Sequence, residues 1–542
     1  MKADLIVYGK IATVDRENRI AGAFAVKDGK IVACGTRESC SGLLGPETTV
    51  VEQKRGLILP GMTEGHAHAS STGELIFGVS LYGMTTVEEY LRAIGKYIGA
   101  HPKKDVITGK GFLNGAFSAP GPTADLLDRI SGEKAVVIQD FNGHTCWANS
   151  AALFRAGIGE KTQDPKNGII VRYPGTSRPT GWLKETAMDA VDAVLPPYSL
   201  EDYKEALLYY QKMQLENGVT VSFEPVFSRG EDNALRFRAY HELEEEGRLL
   251  LTMRAAYTIY PDDDPDEVLD TMDRMKNSLN GEKFQMIALK IFVDGVAEGH
   301  TAFLREDYAD TPGYRGHSMY PQEKLDLIVE KAMKRGYLVH THAIGDAATD
   351  CILEAYEKGQ KACGGAETRN AVTHLQIFHE DQIARMARLH VVAVPNPYWH
   401  WKDPVLFYKC EIPYLGRGRA EKEYPMKSLL DAGIVTAQAS DYPVTVPPRA
   451  INSLHFMVNR KKPGDKETEA LGPEECVSVE EGLRVLTWNG AYENRLESKK
   501  GSIEVGKDAD FVVLDRDVLT ERQEDVYKAK VLQTYIGGKA CL

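Results

Sequence analysis

The chain has 542 residues, 43% of them hydrophobic and 26% charged, which is ordinary for a soluble globular enzyme. Its 78 acidic and 65 basic side chains are interspersed, so the net charge of −13 argues against nucleic acid or an anionic membrane as a partner. No apolar stretch reaches the roughly 20 residues of a membrane-spanning helix, and neither a signal-peptide core nor a C-x-x-C pair is present. We therefore expect a cytoplasmic protein.

Both ends of the chain carry short β-like segments separated by turns. Near the N-terminus they include Leu5–Tyr8 and Ala23–Val26, and the pattern returns around Phe511–Leu514. Two β-rich ends on either side of a long α/β middle predict one accessory domain. We predict that residues 1–60 and 496–542 together form a small β-sandwich.

The middle of the chain alternates strand-like and helical segments. Beyond residue 205 there are seven candidate strands: Val219–Pro225, Leu250–Ile259, Gln285–Asp294, Tyr337–His342, Ala371–Leu375, Val391–Pro395 and Ile434–Asp441. With the apolar segment before His66 they make eight, which predicts an α/β fold with a (β/α)₈, or TIM-type, barrel over residues 61–495. Residues from roughly 70 to 205 are too many for a simple crossover, so we predict that they form an inserted lobe over the barrel mouth.

Several side chains that can bind metal lie on these candidate strands, toward the ends where barrel active sites occur. His66 and His68 are two residues apart, so in extended structure they point to the same face and can bind one ion together. The other candidates are Lys290, His342, His374 and Asp441. Imidazoles with a carboxylate suit zinc or a similar divalent ion, which lowers the pKa of bound water to about 7 and polarises a carbonyl.

Lys290 differs from the other candidates because an ammonium group among apolar neighbours is costly to bury and repels a cation. A neutral, desolvated lysine can react with carbon dioxide, and the resulting carbamate can bridge two ions. The alternative is that Lys290 remains an amine and pairs with Asp294 or another acid.

The order of motifs along nearly the whole chain resembles that of the metal-dependent amidohydrolase superfamily. Within it, the chain is similar to the branch typified by N-substituted formamide deformylases and YtcJ-like hydrolases. The motifs that carry the resemblance are Leu59–Met62 with His66-Ala67-His68, Gly143–Leu153, Thr180–Glu185, Lys290–Gly295, His342–Asp346, Thr373–Gln376, Ser440–Val444 and Gly501–Asp510.

The resemblance implies hydrolysis of a carbon–nitrogen bond in a small molecule by metal-activated hydroxide. The bond would belong to a non-peptide amide, a formamide or a cyclic amide. Asp441 would act as general acid and base, and a homodimer is expected by resemblance alone. One or two divalent ions, with zinc as the expected metal, would be held as follows: His66, His68 and Asp441 at the more buried ion, His342 and His374 at the second, and carboxylated Lys290 between them.

Four further residues are candidates for substrate contact. His144 lies in a Gly-His turn, where it either caps the backbone or reaches the substrate carbonyl, and we leave both interpretations open. Phe112, Trp182 and His300 are most simply core, lid or loop residues, with substrate contact as the alternative. Departures from the branch pattern at Glu64, at Gly111-Phe112 and after Gly295 leave the identity of the substrate open.

Two other functions are consistent with the same motifs. A deaminase would use the same activated water to release ammonia from an amidine or ring amine. A barrel without activity, serving as a binding or assembly module, is less favoured because every ligand type is present.

Overall fold

The computed structural model describes residues 2–225, 231–365 and 368–541. The chain divides into two compact units. The first comprises Met1–His68, Leu208–Asp441 and Pro447–Leu542, and the second comprises Ala69–Leu207 and Tyr442–Val446.

The strands fall into three sheets. In chain order they are β1 (Leu5–Ala12), β2 (Ile20–Lys27), β3 (Lys30–Gly35), β4 (Thr49–Pro60), β5 (Met62–Glu64), β6 (Val79–Ser80), β7 (Val106–Phe112), β8 (Ala135–Asp140), β9 (Thr145–Ala148), β10 (Gly168–Arg172), β11 (Pro179–Glu185), β12 (Val219–Pro225), β13 (Thr252–Thr258), β14 (Phe284–Phe292), β15 (Leu338–Ala343), β16 (Ala371–His374), β17 (Val392–Pro395), β18 (Phe511–Leu514), β19 (Val531–Ile536) and β20 (Lys539–Cys541).

Helices connect most of these strands, with short 3₁₀ and π segments between them. In chain order the α-helices are α1 (Arg37–Ser41), α2 (Thr72–Ile76), α3 (Val87–Ala100), α4 (Ala124–Ser131), α5 (Ser150–Arg155), α6 (Asp189–Asp192), α7 (Leu200–Glu216), α8 (Glu231–Glu245), α9 (Pro265–Leu279), α10 (Gln322–Lys334), α11 (Asp346–Ala362), α12 (Glu380–Leu389), α13 (Ile412–Leu415), α14 (Arg417–Ala420), α15 (Met426–Asp431), α16 (Ala450–Asn459), α17 (Val479–Arg484) and α18 (Gly490–Glu493). Among the helices described, none combines the length and apolar character needed to cross a membrane.

Strands from the two ends of the chain pair in one seven-stranded sheet, in the order β20-β19-β18-β4-β1-β2-β3. The central strand β4 pairs in parallel with β1 and antiparallel with β18. Side chains alternate along β4, because Leu57 and Leu59 join one apolar cluster while Ile58 joins another. Both faces of β4 are therefore buried at this point, which explains its continuous apolar sequence. The pairing of the two ends agrees with the sequence analysis, whereas the two-layered sandwich stays a prediction.

A second seven-stranded sheet is entirely parallel and has the order β17-β16-β15-β14-β13-β12-β5. It is a curled half-barrel, and the fold is mixed α/β of the TIM-like kind. The start of α9 shows how the sequence sets these boundaries: Asp264 caps the first backbone amides of the helix, and Pro265 occupies its first position. Gly61 lies between β4 and β5. A larger residue does not fit at this position, because a Cβ would collide with the side chain of Thr220.

The segment predicted as the eighth strand, residues 434–441, is not a regular strand and forms a single bridge at Thr436. It nevertheless hydrogen bonds to both edges of the parallel sheet. On one side the amides of Ala437 and Ala439 donate to residues of β17, and on the other the Asp441 amide donates to the His66 carbonyl. Residues near 441, late in the barrel sequence, therefore lie beside residues near 66, at its start.

The second unit contains a six-stranded mixed sheet in the order β10-β11-β9-β8-β7-β6. Phe112, Phe117 and Trp147 pack edge to face in one of its apolar clusters.

Candidate metal centre

Three side chains of the first unit converge where β5 ends and the 434–441 segment ends. His66 and His68 lie just beyond β5, and their Nε2 atoms are 3.4 and 3.1 Å from Oδ1 of Asp441. One ligand atom from each of the three residues lies within 4.8 Å of the other two, and all three residues are buried. Two imidazole nitrogens and a carboxylate oxygen form a donor set that fits a divalent metal ion.

Backbone hydrogen bonds fix the three ligands relative to one another. The Asp441 amide donates to the His66 carbonyl over 2.9 Å. The buried carboxyl group of Glu64 accepts from the amides of His66 and Ser440, at 3.1 and 2.9 Å. Glu64 thus links the backbone of His66 to that of Ser440, the residue before Asp441. Burial raises the pKa of its carboxyl group to about 7.

Two more imidazoles lie beside this group. The ring of His374, at the end of β16, is 5.3 Å from that of His66 and 4.5 Å from that of His342 between centroids. Nδ1 of His374 contacts Oδ1 of Asn396 at 2.8 Å, which leaves its Nε2 for another partner. Nε2 of His342 lies 3.0 Å from the Gly295 carbonyl oxygen. The arrangement brings four imidazoles together, with His342 directed toward backbone.

His374 and Asp441 both have left-handed backbone, with φ of 75° and 55°. Non-glycine residues adopt this conformation at a cost of about 1–3 kcal/mol, and such strain concentrates at functional sites. His374 is the last residue of β16, and Asp441 is the last residue of the 434–441 segment. The left-handed backbone therefore occurs at two of the candidate ligands.

Lys290 lies in β14 with no exposed surface, and its Nζ has no hydrogen-bond partner among the residues that the structure describes. Nζ lies 4.6 Å from the centroid of the Phe292 ring. Asp294 does not pair with it; its carboxyl group accepts from the amides of Phe303, Ile344 and Gly345. Burial lowers the pKa of Lys290 to about 7, although nearby Asp441 opposes the shift.

The protonation states suit metal binding, which requires neutral imidazoles and ionised carboxylates. Burial lowers the pKa of His66 well below its usual range and that of His374 to about 4, so both rings are neutral near pH 7. Burial would raise the pKa of Asp441, but hydrogen bonding to His66 and His68 outweighs it and keeps the pKa well below the ordinary value. Asp441 is therefore an anion beside neutral nitrogen donors.

Comparison with known proteins agrees with this geometry. A model described as "Amidohydrolase family" matches residues 53–541. The chain belongs to the amidohydrolase family. It is accordingly a hydrolase that acts on carbon–nitrogen bonds other than peptide bonds, and a divalent metal is implied.

Individual relatives cover nearly the whole amidohydrolase chain. It is 32% identical to Protein LONG AFTER FAR-RED 3 of Arabidopsis thaliana, over 99% of this chain and 91% of the relative. It is 28% identical to an N-substituted formamide deformylase of Arthrobacter pascens, over 99% and 98%. A crystal structure of an uncharacterized metal-dependent hydrolase from Pyrococcus horikoshii has the same fold, with a TM-score of 0.76, 24% identity, and coverage of 96% of this chain and 99% of that one.

The candidates for substrate contact have varied surroundings in the amidohydrolase. In the second unit, Phe112 has no exposed surface, Trp182 lies under Nζ of Lys184 at 4.2 Å, and Nδ1 of His144 is 3.0 Å from the carboxyl group of Glu185. In the first unit, Nε2 of His300 pairs with Asp310 at 2.9 Å. Substrate contact by these four residues stays a prediction.

Sequence reasoning missed two residues that support the site. Asn396 follows β17, so the rule that strand ends carry functional groups could have found it. Glu493, in α18, is buried and its Oε1 lies 3.8 Å from Nδ1 of His340. No local sequence signal connects Glu493 with the barrel strands.

His340 is the clearest supporting residue of the amidohydrolase site. Its Nε2 lies 2.8 Å from Nδ1 of His66, and its ring stacks on Phe223 at 4.4 Å between centroids. The contact occupies Nδ1 of His66 and thereby directs Nε2 toward Asp441. Such outer partners orient metal ligands and raise their affinity.

We expect His340→Ala to weaken metal binding by about 10- to 100-fold, because His66 would lose the partner that fixes its ring. Competition with a chelator would measure the affinity, and circular dichroism would check that the fold is kept. His241→Ala, on the outer helix α8, is the matched control. Unchanged affinity in His340→Ala would show that this contact does not position His66.

Proposed function

We propose that this amidohydrolase hydrolyses a small non-peptide amide, with an N-substituted formamide as the first candidate and cyclic amides as the wider class. The observation that carries the proposal is the convergence of His66, His68 and Asp441 within 4.8 Å in a buried site. The similarity to an N-substituted formamide deformylase over nearly all of both chains supports the choice of formamides. We propose zinc as the metal.

In the proposed reaction, His66, His68 and Asp441 would hold the ion, and His342 and His374 lie beside them. The chemistry that a divalent ion would supply when bound there is acidification of water and polarisation of a carbonyl group. Asp441 is ionised and can accept a proton from a water molecule within hydrogen-bond reach, then deliver it to the leaving nitrogen. Burial lowers the pKa of His66 and of His374, so both imidazoles are neutral near pH 7 and can donate a ring nitrogen to an ion.

A panel of N-substituted formamides, N-acyl amines and cyclic amides tests the proposal, with metal content measured on the same samples. We expect amine and carboxylate to appear in equal amounts from at least one class. Release of ammonia from amidines or ring amines, without amide cleavage, would instead identify a deaminase. A metal-loaded protein that is inactive on the whole panel would contradict the proposed substrate class.

We further propose that Lys290 is carboxylated and acts as a metal ligand. Its pKa of about 7 means that the neutral amine, which reacts with carbon dioxide, predominates above neutrality and the ammonium below it. The carbamate would give the buried, unpartnered Nζ an anionic group suited to two ions.

Metal uptake by the metal-free protein should therefore depend on bicarbonate, and more strongly at pH 8 than at pH 6. The Lys290→Gln variant cannot form a carbamate and should take up less metal, with no response to bicarbonate at either pH. Uptake would be followed by metal analysis after desalting. Equal bicarbonate responses in Lys290→Gln and the unaltered protein would contradict carboxylation at this residue.

A further inference from the structure

A cavity of about 290 Å³ opens at the N-terminal ends of the parallel strands, on the first unit. Arg254 and Gln285, the third residue of β13 and the second of β14, contribute to its wall together with Asn280. Gln285 precedes Lys290 by five residues on the same strand, which corresponds to roughly 16 Å. The cavity is therefore separate from the candidate metal centre.

Three cationic side chains line this cavity: Arg254, Lys276 and Arg495. No carboxylate is among its lining residues, in a chain whose net charge is −13. Within the described parts of the chain none of the three makes an ion pair; Nζ of Lys276 lies 5.2 Å from the centroid of the Tyr337 ring. A cavity lined by one sign of charge concentrates ions of the opposite sign.

Arg254 is the most informative of the three because it is only 5% exposed. Its Nη1 donates to the carbonyls of Met253 and Lys283 at 3.0 and 3.2 Å. Its Nε and Nη2 groups donate to no acceptor among the described residues, although a guanidinium group has five N–H donors. A guanidinium group at the wall of a cavity, with donors that the described residues do not use, is available to an anionic ligand.

The remaining groups refine the chemistry of the ligand. Asn494 also lines the cavity, and it is a buried neutral side chain that adds no charge to the wall. Desolvation lowers the pKa of Arg495 and Arg369 lowers it further, whereas Glu497, which pairs with Arg369 at 2.8 Å, opposes the shift. A bound anion would stabilise the charge on Arg495.

We propose that this cavity binds a phosphate group, either as inorganic phosphate or as the phosphate of a small metabolite. A phosphate dianion offers several acceptors for the planar donors of Arg254 and Arg495 and balances more positive charge than a monocarboxylate does. The volume is at the lower end of that of small-molecule sites, which limits the ligand to a small metabolite.

Calorimetric titration of the metal-loaded protein with inorganic phosphate, at constant ionic strength set with sodium chloride, tests the proposal. We expect a dissociation constant of about 1 mM or tighter. The substitutions Arg495→Gln and Lys276→Gln change exposed side chains, and each should weaken binding by about tenfold while leaving the fold and the hydrolytic activity unchanged. Arg522→Gln, at an exposed site paired with Asp525, is the matched control and should bind normally.

Three further titrations identify which ligand the cavity binds and where in the protein phosphate binds. Glycerol phosphate binding more tightly than inorganic phosphate would assign a metabolite, and the reverse would assign the free ion; either result supports the site. Succinate binding more tightly than both would overturn the phosphate assignment. Binding that survives in Arg495→Gln and Lys276→Gln but disappears in His66→Ala would place phosphate at the metal centre and overturn the proposal, as would no binding by the unaltered protein.

Discussion

Replacing His66 with alanine should remove bound metal and hydrolytic activity together. His66 supplies one of three ligand atoms that lie within 4.8 Å of one another, and two remaining ligands hold a divalent ion poorly. Because the metal contributes several kcal/mol of transition-state stabilisation, we expect kcat/KM to fall on the order of 10³-fold or more. Metal content by elemental analysis and kcat/KM for the best substrate of the panel would be measured on the same preparation.

His241→Ala serves again as the control for His66→Ala, because it removes an imidazole from the outer helix α8. It should keep both metal and activity. If His66→Ala retained stoichiometric metal and activity near that of the unaltered protein, the metal centre proposed here would be wrong. Loss of both in a protein that has also lost its circular dichroism signal would call for the milder His66→Gln variant.

Asp441→Asn should separate metal binding from proton transfer. The amide keeps the size of the side chain and one oxygen ligand but cannot carry a proton between water and the leaving nitrogen. We expect kcat to fall by about 10²- to 10⁴-fold at a metal concentration that saturates the site. Stopped assays with metal content measured in parallel would distinguish this loss from simple loss of the ion.

Asp326→Asn is a suitable control for Asp441→Asn, because Asp326 pairs with Lys358 at the surface of α10. It should have nearly normal kcat. A kcat for metal-loaded Asp441→Asn within about tenfold of the unaltered protein would remove Asp441 from the role of general base. If Asp441→Asn lowered only the metal affinity and kept a normal kcat at saturating metal, Asp441 would be a metal ligand without a role in proton transfer.

The fold could be predicted from the sequence where hydrophobic patterns are local. β12 was predicted with its observed bounds, Val219–Pro225, and β18 was predicted as Phe511–Leu514. Residues 434–441 were predicted as a strand, yet they form a single bridge while hydrogen bonding on both sides. Their apolar composition indicates burial between neighbours, but composition does not specify whether regular pairing is kept over the whole segment.

Candidate ligands could be found because the spacing of two predicts that His66 and His68 point to one face, although both lie just beyond the end of β5 in the structure. The same parity argument cannot separate His340 from His342, since both lie on β15 two residues apart. Only the folded structure shows His340 against Nδ1 of His66 and His342 against the Gly295 carbonyl. Glu493 was missed because its approach to His340 depends on packing between α18 and β15, which no local pattern specifies.

The hydrogen bond from the Asp441 amide to the His66 carbonyl joins residues from the first and last parts of the barrel sequence. A ribosome releases His66 and His68 long before it has made Asp441, so a growing chain carries a two-imidazole fragment without its carboxylate. If these three residues hold the ion as proposed, capture by the full set would wait until translation has passed residue 441 and the sheet edges have met. The order of synthesis would then delay acquisition of the ion until the barrel is formed.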